Sequence, residues 1–199
     1  MNKRTSIILI FIILLIDQIS KIYIKTHFQL GESVEVFNWF KILFIENDGM
    51  AWGIEIPGDY GKIILTLFRI IAIGAIGYWL NKSIEEKAVP VLVFSIALIL
   101  AGAMGNILDS VFYGIIFDES YGQVATFFAE QPYGELLKGK VVDMLYFPIY
   151  DNVLPGWIPI WGGERFVFFE PVFNVADTSI SIGFILLLIF NKKAFPKKK

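Results

Sequence analysis

The sequence predicts a membrane α-helical protein: four transmembrane helices, a small extracytoplasmic β-sheet or cradle, and an enlarged outer segment between helices three and four. Three observations predict it. Of the 199 residues, 56% are hydrophobic, above the range of ordinary soluble domains. Four stretches, about 6–25, 62–80, 88–108 and 172–190, each approach the roughly 20 helical residues needed to cross about 30 Å of hydrocarbon. Lys and Arg gather at alternate ends of those stretches. The whole of 1–199 is expected to be a single integral membrane domain.

The first stretch opens on Lys3 and Arg4 and continues into a ten-residue apolar run. A signal peptide starts that way, but no small-x-small cleavage site follows, so the stretch reads as a retained span. The segment after it, about 26–61, contains "VEVFNWFKILFIEN", a mix of aromatic and β-branched residues, followed by the turn residues Asn47, Asp48 and Gly49. That pattern predicts strands. Spans two and three are joined by the short turn "NKSIEEK", which adds Lys82 and Lys87. The second outer segment, about 109–171, is rich in Phe, Tyr and Trp, which suits either an interfacial belt or an extramembrane core. The last span runs into "NKKAFPKKK", with five lysines. With four spans, the basic N-terminus, the turn and the tail share one side, so both termini are expected in the cytoplasm and the long segments outside.

The costly residues gather at one depth. Asp17 and Lys21 lie toward the end of span one, Asn106 and Asp109 at the end of span three, and Asn174 and Asp177 at the start of span four. In an up-down bundle these ends all face outward. Ionisable residues inside a membrane are functional candidates by default. Asp17 and Lys21, spaced i, i+4, stack on one helix face, as a local ion pair or as a pair that positions substrate or sheet. "GAMGN" sets Gly102, Ala103 and Gly105 before Asn106, a signal of close helix packing. Arg69 in span two reads as a structural or lipid-headgroup residue that snorkels outward. Asp143, taken alone, reads as an ordinary surface carboxylate.

A net charge of −2 gives no electrostatic case for nucleic acid. Without cysteine there is no disulfide, thiolate zinc site or cysteine nucleophile, and a lone histidine, His27, argues against a His-based metal site or a Ser-His triad. Acid–base chemistry must then come from Asp, Glu, Lys or Tyr. Several classes remain. A small ion- or proton-coupled transporter subunit needs polar groups at mid-membrane and broken helices, whereas here they collect at one edge. A structural membrane protein has no need of paired carboxylates there. A metal-dependent hydrolase could use Asp109, Asp143 and Asp177 as oxygen ligands for Mg²⁺ or Ca²⁺.

Five blocks carry a more specific signal: "DQISK" (17–21), "ENDGMAWG" (46–53), "GAMGNILD" (102–109), "VVDMLYF" (141–147) and "FNVADTSISIG" (173–183). In this order, on spans of this topology, nearly the whole chain resembles the lipoprotein signal peptidases (signal peptidase type II), aspartyl peptidases of the bacterial inner membrane. The resemblance implies a catalytic pair at Asp143 and Asp177, and supporting or substrate-binding roles for Asn47, Asn106, Asn174, Asp17, Lys21, Gly49, Gly105 and Asp109, with no metal or cofactor. It implies removal of signal peptides from diacylglyceryl-modified prolipoproteins, just before the lipidated cysteine and near the outer leaflet, with membrane lipid and globomycin-like cyclic peptides as further partners.

Two departures stand out. Where the family usually has Arg after the Asp of the third block, this chain has Ser110, for which Arg165 is a possible substitute. Stretches 114–138 and 150–168 look like additions. Two carboxyls sharing one proton can activate water and protonate the departing amine. Asp177, near a helix start, meets the positive end of the macrodipole, which favours its ionised form. Asn47 and Asn106 are candidates for supporting or oxyanion-binding roles, and "NDGMAWGI" for a flap over the site.

Overall fold

A computed structural model describes residues 1–48 and 60–196; the expected flap and Gly49 lie outside the described residues. Helix α1 spans Lys3–Lys25, α2 Gly61–Glu85 and α3 Pro90–Ile116. All three are long and apolar enough to cross a membrane. Helix α4, Val175–Ile189, is apolar but has 15 residues, or about 22 Å of rise, and a short helix α5, Asn191–Ala194, follows it.

Helices α1 and α3 start where local chemistry supplies an end. Asn2 caps α1 by accepting from the Thr5 N–H (2.9 Å), and Pro90 stands in the first turn of α3, where its missing N–H costs nothing. The expected fourth span began at 172, but Val172 and Phe173 are strand residues and the helix begins after Asn174. The expected third span ended at 108, but α3 continues to Ile116. Asn106 and Asp109 therefore lie inside a helix and not at its end. The helix runs on because the Asp109 charge is matched within the bundle, and no breaker intervenes before Phe117, which turns to extended backbone.

Helix α3 is the central element, packed against α1, α2 and α4. Helix α1 is built inside out for water: Ile8, Phe11, Leu15 and Ile19 are exposed, while Asp17, Lys21, Ile24 and Lys25 are buried. That is the arrangement expected when the surrounding solvent is hydrocarbon and the polar stripe faces the bundle.

The outer segments supply a four-stranded antiparallel sheet in the order β1-β2-β3-β6. Its strands are β1 (Ser33–Phe37), β2 (Phe40–Asn47), β3 (Val141–Tyr146) and β6 (Val172–Phe173). β4 (Tyr150–Val153) and β5 (Arg165–Phe168) form a separate two-stranded hairpin. In the main sheet Ile45 pairs with Asp143, and Leu145 with Phe173. This register brings the Asp143 strand beside the chain entering α4. Under the sheet, Ile24, Phe44, Tyr113, Phe117, Val142 and Met144 form a core. The added stretch 114–138 folds back along the end of α3 through Gly134 N–H to Gly114 O (2.9 Å) and Leu137 N–H to Val111 O (3.0 Å).

Close approach of α3 and α4 depends on glycine. A Cβ at Gly102 would lie 2.2 Å from the Ala176 carbonyl oxygen, and one at Gly183 2.7 Å from the Ser95 carbonyl oxygen. At Gly74 and Gly77 on α2 nothing lies within 4 Å. Gly102→Ala should therefore destabilise the detergent-solubilised protein by about 1–3 kcal/mol. Gly74→Ala should stabilise it by up to about 1 kcal/mol through helix propensity. Thermal unfolding of both variants checks this.

Candidate active site

Asn174 caps α4 in a reciprocal box. Its Oδ1 accepts from the Asp177 N–H (2.8 Å), and Asp177 Oδ2 accepts from the Asn174 N–H (3.3 Å). An Asn followed three residues later by a carboxylate is a local helix-start signal, so sequence alone seats Asp177 in the first turn. The same Asn174 amide donates from Nδ2 to Asp143 Oδ1 (2.7 Å), Asn106 Oδ1 (3.1 Å) and the Val142 carbonyl (3.2 Å). One fully buried asparagine thus ties Asp143, on β3, to Asp177, on α4, although 34 residues separate them in sequence.

Each carboxylate receives two donors. Asp143 accepts from Asn174 Nδ2 and, on Oδ2, from Asn47 Nδ2 at the end of β2. Asp177 accepts from the Asn174 N–H and, on Oδ1, from Asn106 Nδ2 (2.7 Å). The amides of Asn47 and Asn106, candidates for oxyanion binding, are here donated to the carboxylates. The settings differ. Asp143 is buried on a strand, whereas Asp177 is half-buried at a helix N-terminus, where the macrodipole favours negative charge. Burial, and then the neighbouring Asp177 charge, push the Asp143 carboxyl up to about 7, against the Lys21 charge and the donors Asn174 and Asn47.

Behind the pair lies a buried ion cluster. The Lys21 ammonium contacts Asp17 Oδ2 (3.0 Å), Asp109 Oδ2 (2.8 Å) and Asn106 Oδ1 (2.8 Å), and Lys21, Asp17 and Asp109 are all fully buried. These three acceptors take up all three N–H groups of the ammonium. Asp17 Oδ1 accepts from the Ala176 N–H (2.8 Å), a second free donor of the α4 first turn, and Asp109 Oδ2 accepts from the Val142 N–H (3.3 Å) beside Asp143. The cluster therefore grips both elements that carry the carboxylate pair. Gly105 makes room for it, since a Cβ there would lie 2.6 Å from Asp17 Oδ2. Asp109, considered as a metal ligand with the pair, is committed to Lys21, Gln18 and Val142 instead. Among the described residues no group of three acidic or histidine side chains could hold a metal.

Ser110 is buried and donates to the Asn106 carbonyl (3.2 Å). Arg165 does not replace the missing arginine: it forms a bidentate pair with Asp151 (2.7 and 2.6 Å) across the exposed hairpin. Arg69 is half-buried on α2, within reach of the Asp177 charge.

Five residues that the sequence does not single out for the site join it: Gln18, Tyr113, Lys25, Glu46 and Ser120. Gln18 donates to Asp109 Oδ1 (2.9 Å) and Asp17 Oδ2 (3.1 Å), and the Tyr113 hydroxyl donates to Gln18 Oε1 (3.2 Å). Lys25 pairs with Glu46 and Ser120, under the rings of Phe117 and Tyr133. The signals were present: Gln18 is a polar residue within a span, Lys25 lies one turn beyond Lys21, and Glu46 adjoins Asn47.

Lys21→Met should cost about 3–5 kcal/mol, because it strands Asp17 and Asp109 in the interior without a counter-ion. Adding Asp109→Asn should restore part of the loss. Equilibrium unfolding in detergent of the single and double variants measures both.

A family model described as "Signal peptidase (SPase) II" matches residues 9–192. A "Lipoprotein signal peptidase" of Porphyromonas gingivalis is 50% identical over 183 residues, covering 91% of this chain and 80% of that protein. One from Amoebophilus asiaticus is 37% identical over 184 residues, covering 90% and 73%. A solved structure titled "Bacterial membrane enzyme structure by the in meso method at 2.3 A resolution" superposes with a TM-score of 0.65 at 27% identity, covering 99% of this chain and 93% of that one.

Proposed function

The chain belongs to the signal peptidase II family, and on that premise we propose that it is a membrane-embedded aspartyl endopeptidase acting on diacylglyceryl-modified prolipoproteins. It removes their signal peptides by cutting just before the lipidated cysteine. The observation that carries the aspartyl assignment is the juxtaposition of Asp143 and Asp177 on Asn174, in unlike environments.

Hydrolysis of an amide adds water across the C–N bond. In the proposed mechanism Asp177, ionised at the α4 N-terminus, takes a proton from a water as that water attacks the carbonyl carbon. Asp143, protonated, hydrogen-bonds the carbonyl oxygen and stabilises the charge developing there. Collapse of the tetrahedral intermediate breaks the C–N bond, and the proton held by Asp177 passes to the departing amine. Asn106 and Asn174 hold Asp177 in place, while Asn47 and Asn174 hold Asp143. Asp17, Lys21, Asp109 and Gly105 keep the strand and the helix at this spacing.

In the membrane, the three long helices, and α4 extended by α5, form four spans of one unit with both termini cytoplasmic, in the inner membrane of a bacterium. The carboxylates then stand near the outer leaflet, where the acyl chains of the precursor place its scissile bond. Lipid fills the grooves between helices, and globomycin-like cyclic peptides compete for the site.

Purified protein should cleave a lipidated precursor peptide without sensitivity to chelators. Asp143→Asn and Asp177→Asn should each lower turnover by roughly 10²- to 10⁴-fold, the usual scale of acid–base catalysis; near wild-type turnover in either would overturn the assignment.

With the Asp143 proton lost at about pH 7, kcat/KM should fall about tenfold per pH unit above that point. Hydrogen bonds from Asn47 favour the ionised form. Asn47→Ala should therefore move this falling limb to higher pH, as a pH–rate profile of the residual activity would show.

A further inference from the structure

The hairpin of β4 and β5 lacks a core of its own. All four residues of β4 are exposed, and in β5 only Val167 is partly covered. Its loop presents Trp157 at 81% exposure and Ile160 at 86%, with Trp161 beside them. An isolated two-stranded hairpin is marginal in water, and here the strands are exposed with large apolar side chains outward. The loop is nevertheless tightly specified. Gly162 N–H donates to the Ile158 carbonyl (3.0 Å), Gly163 N–H to the Leu154 carbonyl (2.9 Å), and Arg165 clamps Asp151. Ile160 stands at φ 74°, a left-handed conformation that is costly for a β-branched residue. The fold thus holds an isoleucine in a strained conformation in order to project it outward.

The position of the hairpin identifies the medium it meets. Its second strand ends at Phe168, and the lipid-facing helix α4 begins at Val175. Phe169 stands edge-on to Phe173 (6.0 Å), which stacks with Phe147 (5.5 Å) and onward to Trp39 (6.1 Å). A band of aromatic rings therefore joins the hairpin root to the start of α4, and a bilayer interface is the depth that Trp favours. Asp151, Glu164 and Glu170 outnumber Arg165 in residues 149–170, so attraction to acidic lipid does not hold the hairpin there. We infer that the 150–168 hairpin is a bilayer-docking element: Trp157, Ile160 and Trp161 insert into the interface of a zwitterionic outer leaflet. The inference rests on the chain spanning a membrane and is independent of which bond it cuts.

The test uses full-length protein in phosphatidylcholine vesicles, with Trp157 or Trp161 as the sole tryptophan and the others replaced by Phe. Lipids brominated near the top of their acyl chains should quench either residue by about twofold, and aqueous iodide should quench little. Ile160→Asp should abolish the bromine effect at both positions, while circular dichroism remains unchanged. Emission indifferent to bromine and quenched by iodide would overturn the proposal by placing the hairpin in water. Quenching only after addition of a precursor carrying brominated acyl chains would also overturn it, by assigning the surface to the substrate. Both readouts are optical, so loss of peptidase activity leaves them interpretable.

Discussion

The ammonium of Lys21, held between Asp17, Asp109 and Asn106 in a space closed to solvent, is the contact on which the rest of the structure depends. A buried ion pair adds little net stability, since desolvation offsets most of the attraction. Its effect here is geometric. Asp17 reaches the first turn of α4 through Ala176, Asp109 reaches β3 through Val142, and Asn106 reaches Asp177. One cation thereby sets the distance between a strand and a helix end that share no local sequence. The glycines of α3 complete the arrangement by letting α4 approach close enough to be gripped.

That frame presents two chemically identical side chains in different electrostatic settings. Asp177 sits in a capping box at the positive end of a helix, partly open to solvent. Asp143 lies on a strand, nearly covered, facing the charge of its partner. Burial and like charge favour its neutral form, and donors from Asn47 and Asn174 limit how far. Because Asn174 touches both carboxylates, any shift of α4 against β3 would disturb both at once. This couples the geometry of the carboxylate pair to helix packing, and asparagine suits the linking positions because an amide can donate to a carboxylate and accept from a cation or a backbone N–H in the same place.

Much of this was legible in the sequence because burying polar groups in apolar helices is expensive, and an unexplained expense marks a site. Asp17, Lys21, Asn106, Asp109, Asn174 and Asp177 all stood out for that reason. Asp143 did not, since a carboxylate on an extramembrane strand breaks no local rule, and only the motif series drew attention to it. The length of α3 is not legible in the sequence because Asp109 resembles a boundary; its charge is matched by Lys21 on another helix, a pairing invisible to one-dimensional reading. Tyr113 is hidden for a related reason, as its role is set by its contact with Gln18 across the bundle. The Arg165 pairing with Asp151 is short-range across a hairpin, but nothing in the spacing announced that hairpin before its strands were seen.

In the proposed mechanism Asp143 and Asp177 hold one proton between them, and Asp143 carries it below about pH 7. Isotope-edited infrared spectroscopy of ¹³C-aspartate-labelled protein in lipid, titrated across pH, tests this most directly. A protonated-carboxyl band that fades as pH rises through about 7, and is missing from Asp143→Asn, is the predicted result. Superimposable spectra for the wild type and Asp143→Asn throughout the titration would contradict it.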